Sequence, residues 1–395
     1  MKPVEAIQYN LYRDPLYVGP NNELHLLVVG FDATAQLFLD QYLPLAQCLP
    51  LMQSCTPTLN VTILCSKKQM TTYLKGRPAF PAFFTVKEME NQLADEYDSY
   101  GTIQFIPLQS DKTTSPVKEY SLYEQTARHQ ILSCTAQGQG YQILVSLGQD
   151  HINLAMARSL RQAIADLGCG EYTLIRYIWK GGRPTADGGL LPVAIREDMS
   201  DRSIEKEIER MAYNAHHLWD GTLESPSNND TAFKKTYYHD SSVSNVTAVK
   251  WKLVSMHIDL NALGPEQAAK EFQDQLSADT DLLLFDRLIW NEHRRWVAEK
   301  ICNGWRSLDP ADYPLHGNRL KNEKKHGCIQ HSGPNHKLKK LTDLYGVHAV
   351  WDAANQSSEL KGQIGKLDDL VLFSLGLQSK KVAARTEKKR EGYKP

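Results

Sequence analysis

The chain has 395 residues, more than one hydrophobic core usually serves, so two or three domains are expected. Hydrophobic residues make up 42% and charged residues 23%, an ordinary globular balance that excludes wholesale disorder. With 45 basic against 46 acidic side chains the net charge is −1, so no global field draws the protein to nucleic acid or to an anionic membrane.

In chain order, Leu24 to Gly30 read Leu-His-Leu-Leu-Val-Val-Gly, an apolar run ended by glycine, and Ala35, Phe38, Leu39, Tyr42, Leu43 and Ala46 then recur at helical spacing. This is a strand, a tight turn and a helix. Further strands are expected over 59–65, 102–107, 141–147 and 172–179, with an amphipathic helix from Asn153 to Leu167 between the last two. Apolar strands separated by helices imply a parallel α/β sheet. None of these runs approaches the ~20 apolar residues of a membrane span, and no basic-then-apolar leader opens the sequence, so a cytoplasmic location without membrane insertion is expected.

Glycine, proline and turn formers crowd 181–200, which reads as a linker. Beyond it Ile204, Ile208, Met211, Ala215 and Leu218 repeat at four and three residues, one apolar stripe on a helix. Helices are also expected around Val246 to Met256, over 284–301 and over 367–377, with no β-rich segment among them. Residues 379–395 are basic and nearly without apolar anchors, and read as a frayed tail.

The turn after the first strand, Gly30-Phe31-Asp32-Ala33-Thr34-Ala35, keeps the first glycine of the GxGxxG dinucleotide fingerprint. The second glycine position holds Asp32, a carboxylate placed to cap the helix where a phosphate would sit, and the third holds Ala35. After the second strand Cys65-Ser66-Lys67-Lys68 suits a phosphate better than a ribose diol. Two readings stay open: a scaffold without its cofactor, or a nucleotide or dinucleotide held in altered geometry by Gly30, Ser66, Lys67, Gly148 and Asn153 at the carboxyl edge of the sheet.

In the helical half, Trp290 to Arg306 read WNEHRRWVAEKICNGWR. Ile289, His293, Trp296 and Lys300 share one helix side, and Gly304 allows a left-handed cap that folds Trp305 back. His326, Cys328, His331 and His336 are crowded without the paired spacing of a zinc site, so no metal site is assigned. No serine elbow, HExxH, Walker lysine motif or acidic pair occurs, and no catalytic residue is assigned. The seven cysteines lack CxxC spacing and read as free thiols.

The Trp290–Arg306 segment resembles the signature of ryanodine-receptor-type (RyR) repeats, and Met211-Ala212-Tyr213-Asn214-Ala215-His216-His217-Leu218-Trp219-Asp220 looks like a divergent second copy. With the Leu147-Gly148-Gln149-Asp150-His151-Ile152-Asn153 segment, the whole is similar to bacterial proteins that join a TrkA-N-type Rossmann domain to RyR repeats. The resemblance implies an α/β Rossmann-like domain over 1–185, then mainly α-helical RyR-like repeats over 200–262 and 275–378.

The function implied is a sensor or effector that binds a small nucleotide-derived signal in a stress or antiviral defence system. Tyr213, Asn214, His217, Asn291, His293, Arg294, Trp296 and Trp305 are the candidate ligand residues, with Trp296 and Trp305 as base faces and Arg294, Arg295 and Arg306 as phosphate partners. A homo-oligomer is compatible with the TrkA-N likeness. Two other functions are implied less directly: a regulatory subunit of a separate potassium channel or transporter, and an NAD(P)-dependent oxidoreductase.

Overall fold

The β-branched and leucine-rich runs of the first 200 residues lie side by side as a seven-stranded sheet in which every pairing is parallel. The strands are β1 (Leu24–Val29), β2 (Leu59–Cys65), β3 (Thr85–Val86), β4 (Thr102–Pro107), β5 (Tyr141–Val145), β6 (Thr173–Trp179) and β7 (Leu190–Ala194). Their order is β3-β4-β2-β1-β5-β6-β7, so the chain winds outward from β1 in one direction and from β5 in the other. The computed structural model describes residues 3–14, 23–49, 59–87, 99–108, 115–135, 141–168, 173–181, 187–195, 202–220, 233, 236–279, 283–307, 322–330 and 371.

The central strands are mostly apolar because both sheet faces are covered. Leu27 and Val29 of β1 face α5 (Pro116–Thr135) and α6 (Asp150–Asp166), where Tyr123, Ala127, Met156, Ala157 and Leu160 complete one core layer. The opposite face carries α1 (Pro3–Arg13) and α2 (Ala33–Ala46), joined by a Gln8–Gln41 hydrogen bond of 2.8 Å. Beside α2, α3 (Lys67–Lys75) and the single turn α4 (Phe80–Phe83) bring Tyr73 and Phe80 edge-on to each other, with Phe31 5.1 Å from Tyr73. Each large apolar side chain buried here contributes about 1.5–3 kcal/mol.

Beneath α1 lies a buried polar group. Arg176 of β6 donates to Asp14 at 3.2 Å and to Gln142 at 2.9 Å, and all three are buried. Helix α1 also finishes the sheet. The Ile195 N–H bonds to the Trp179 carbonyl, so the alternate residues Pro192 and Ala194 turn their carbonyls outward. Asn10 donates to Ala194 O at 3.1 Å and Arg13 to Pro192 O at 3.4 Å. Pro192 itself has no N–H to leave open, as an edge position requires.

Contacts divide the chain into two compact units, Met1–Ala46 with Cys55–Asp201, and Gln47–Ser54 with Arg202–Pro395. Strand β7, paired with β6, lies within the segment 181–200 expected as a linker. The second unit holds α7 (Arg202–Asp220), α8 (Thr236–Ser255), α9 (Leu260–Ala278) and α10 (Leu283–Cys302). Ile208, Met211 and Ala215 of α7 form the expected buried stripe, and Val243, Val246, Val249 and Leu253 that of α8. Asp259 caps α9 by accepting from the Asn261 and Ala262 N–H groups.

Within the half expected to be mainly helical, β8 (Arg306–Ser307) and β9 (Lys325–His326) form a short parallel ladder after α10. Of the expected helix 367–377 only Val371 is described, and the 379–395 tail lies outside the described residues. Among the described residues no helix is long and apolar enough to cross a membrane.

Candidate functional site

Parallel strands put all their carboxyl ends on one edge, and the strand order reverses between β1 and β5, where open α/β sheets take ligands. Gly30, Ser66, Lys67, Gly148 and Asn153 all fall on that edge. Most of them have structural duties there. Gly30 has φ 84°, and a Cβ on it would lie 2.2 Å from the Ser146 carbonyl oxygen, so glycine is required by the close crossing of β1 and β5. Ser66 caps α3 through a reciprocal box with Gln69. Asn153 is fully buried, accepting from Leu147 N–H at 2.6 Å and donating to Ile178 O at 2.8 Å. Lys67 and Gly148 are exposed, and Gly148 has φ 93° with open space beside it.

Asp32 sits at the head of α2. Its Oδ1 accepts from the Thr34 N–H at 3.0 Å, the Ala35 N–H at 2.9 Å and the Ser146 hydroxyl at 2.6 Å, while Oδ2 lies 2.9 Å from Lys180 Nζ. Asp150 anchors the Lys180 backbone, accepting its N–H at 2.8 Å and that of Gly181 at 2.6 Å. The amides that would meet a pyrophosphate at α2 are thus engaged by a carboxylate. A dinucleotide held through its diphosphate, as this strand order would imply, does not fit these residues.

In the helical unit the candidate residues fall into two groups. On α7, Tyr213 meets the His217 ring edge-on at 4.2 Å and Phe233 at 5.4 Å, with Asn214 half-buried on the same helix. On α10, His293 stacks 6.4 Å from Trp296, and its Nε2 lies 3.3 Å from Gln330 O. Asn291 donates to Cys48 O at 3.4 Å, and Arg294 to Gln47 Oε1 at 3.3 Å.

The end of α10 places Trp305. Gly304 has φ 80°, its N–H bonds Ile301 O at 2.9 Å, and the Trp305 N–H reaches back to Lys300 O at 2.9 Å, a Schellman motif. The Lys300 ammonium consequently lies 5.7 Å from the Trp296 ring and 5.9 Å from the Trp305 ring. His326 of β9 meets Trp296 edge-on at 4.8 Å. Its Nδ1 accepts the Cys328 N–H at 3.1 Å, so that lone pair is committed to the backbone rather than to a metal. Lys300 and His326 were not among the candidate ligand residues. The four-residue step from Trp296 to Lys300 was the available signal for the first.

Below these rings runs a chain of alternating charges. Lys252 lies 2.7 Å from Glu292, Glu292 3.0 Å from Arg295, Arg295 2.8 Å from Glu299, and Glu299 3.0 Å from Lys300. Arg295 also donates to the Ser244 hydroxyl at 2.9 Å and is almost wholly buried, so it serves this chain and is not a phosphate partner. Burial alone would raise the Glu292 pKa, but Arg295 and Lys252 outweigh it and hold the carboxyl down at about 2. Burial pushes the Cys48 thiol up to about 12, which keeps it an unreactive thiol. Arg306 is exposed on β8, while His331 and His336 lie outside the described residues.

Compared with protein-family models, with curated proteins and with solved structures, the chain matches none.

Proposed function

We propose that this protein is a sensor whose helical unit takes a small nucleotide-derived ligand beside Trp296, in a bacterial stress or antiviral defence setting as its likeness to RyR-repeat proteins implies. One observation carries the reading: Trp296 and Trp305 flank the Lys300 ammonium, His326 meets Trp296 edge-on, and Trp296 alone of the four keeps a partly exposed side chain. A nucleobase needs an aromatic face, and the partly exposed Trp296, with the Lys300 ammonium 5.7 Å from its ring, supplies one on α10. The polar residues that engage the sheet crevice internally favour the helical unit as the place of binding.

The test is a thermal-shift screen of the full chain against cyclic and linear nucleotides, ADP-ribose and dinucleotides, with Trp296→Ala beside the parent. A ligand at 100 times its Kd should add about 2.7 kcal/mol of stability, and Trp296→Ala should abolish that gain. No shift with any nucleotide would sink the proposal. So would a shift that persists undiminished in a folded Trp296→Ala protein.

A further inference from the structure

Four donors converge on the Asp32 carboxylate: the Thr34 and Ala35 amides at the head of α2, the Ser146 hydroxyl and the Lys180 ammonium. Helix-terminal amides, a hydroxyl and a lysine are the set with which nucleotide-binding proteins cradle a phosphate. Here the cradle is complete and a side chain of the protein lies in it. We infer that Asp32 is a built-in anion, standing where a phosphate would be bound, and that it sets the specificity of the sheet crevice against phosphate-bearing ligands.

Each part of the surroundings serves that arrangement. Gly30, which has no Cβ to collide with the Ser146 carbonyl oxygen, lets the β1 turn come close enough for Ser146 to reach Asp32. Asp150 holds the backbone of Lys180 and Gly181, and so aims the Lys180 side chain at Asp32 from the end of β6. The helix end carries about half a positive charge and Lys180 a whole one, and the Asp32 carboxylate offsets most of that sum. A phosphate entering beside α2 would meet that carboxylate where the Thr34 and Ala35 amides and the Ser146 hydroxyl are already engaged. The head of α2 therefore disfavours a phosphate, and the proposed nucleotide-derived ligand of the helical unit binds independently of it.

The inference makes a gain-of-function prediction. In Asp32→Gly, where glycine is a tolerable helix cap, the amides, hydroxyl and Lys180 are released together. Hydrogen exchange is measured on the full chain with inorganic pyrophosphate and with NAD as probes, following the amides of 30–36, 146–153 and 290–306. The parent should gain no protection over 30–36 or 146–153, whereas Asp32→Gly should gain protection at Thr34 and Ala35 with pyrophosphate. Adding Lys180→Met should remove most of that gain. Asp32→Ser, which keeps a capping hydroxyl but not the charge, is the second variant should glycine prevent folding.

Protection of 30–36 in the parent by either probe overturns the inference. A folded Asp32→Gly or Asp32→Ser protein that takes no pyrophosphate there does the same. Protection at 30–36 gained by the variant alone, with any protection at 290–306 equal in parent and variant, supports it, since the parent crevice is then closed to phosphate by Asp32 while the helical unit binds independently.

Discussion

Glu292 of α10 and Lys252 of α8 lie 2.7 Å apart, with the lysine side chain wholly buried. Such a pair contributes little net stability when complete but leaves an uncompensated charge when broken. The two cations on Glu292 are not equivalent. Arg295 engages both of its oxygens and Glu299 as well, so Arg295→Met takes a cation from two buried carboxylates at once, leaving each with one lysine, and should cost about 3–5 kcal/mol. Lys252→Met leaves the Arg295 fork in place and should cost about 1–3 kcal/mol. Hydrogen exchange of the α8 and α10 amides during urea unfolding reads both, and equal losses would refute this ordering.

The same carboxylate gives the helical unit an acid limb. A group whose folded pKa lies below its unfolded one holds its proton less tightly when folded, so its contribution is whole above the unfolded value and is lost as pH falls. For Glu292 that window runs from 4.5 down to about 2, and Glu299, lowered by Lys300 and Arg295 against burial, adds to it. Denaturation midpoints of the helical unit should fall steeply across this range in the parent. Glu292→Gln should be less stable at neutral pH and show a shallower acid slope.

His239 supplies the opposite sign. Hydrogen bonds to Asp240 and Glu209 raise its pKa from 6.5 to about 9, tying α8 to α7. A raised pKa means the stabilisation is whole below 6.5 and is lost as pH climbs through 9. NMR titration of the ring should place the midpoint near 9 in the parent, and Glu209→Gln should lower it. An unshifted midpoint in the parent would show that neither carboxylate engages the ring in solution.

Several of these features were open to sequence reasoning, and the reason others were not is distance along the chain. Strand β1 and helix α2 are legible because a strand covered on both faces is mostly apolar and a capped helix follows it. The Asp32 cap is local and equally legible, but its partner Lys180 is 148 residues away. Strand β7 hides behind Gly188, Gly189 and Pro192, which read as breakers because nothing nearby reveals an edge strand sealed by α1. Helix α1 is obscure for the same reason, since Asn10 and Asp14 are explained by acceptors and donors 184 and 162 residues on. In the helical unit, Trp296 and Lys300 lie one turn apart and can be paired by counting. The approach of His326 depends on how β9 returns to β8, and no periodicity encodes that return.

Gly304 offers a direct test of how the aromatic cluster is built. With φ 80°, any side chain there is forced into the left-handed region, which costs roughly 1–2 kcal/mol for an L-residue. Gly304→Ala should lose about that much stability and loosen the bond from Trp305 N–H to Lys300 O. If the Schellman turn is what holds Trp305 near Lys300, its fluorescence should shift towards that of a hydrated indole, whereas Asn303→Ala should leave it in place. Unchanged emission in Gly304→Ala would mean that packing against His326, 6.5 Å away, suffices to hold the ring.

The outer edge of β7 carries the last prediction. An open strand edge is a template for pairing with another chain, and two side chains of α1 stand on the carbonyls of this one. Asn10 is buried and bonds both Ala6 O and Ala194 O, so Asn10→Ala leaves a buried carbonyl without its donor and should cost about 1–3 kcal/mol. Arg13 is partly exposed and its bond is longer, so Arg13→Ala alone should cost under about 1 kcal/mol. The double variant exposes both carbonyls at once, and light scattering at rising concentration should then show association that neither single variant shows. Should the double variant remain at the parent's oligomeric state, Pro192, which offers an incoming strand no N–H, is enough to guard the edge by itself.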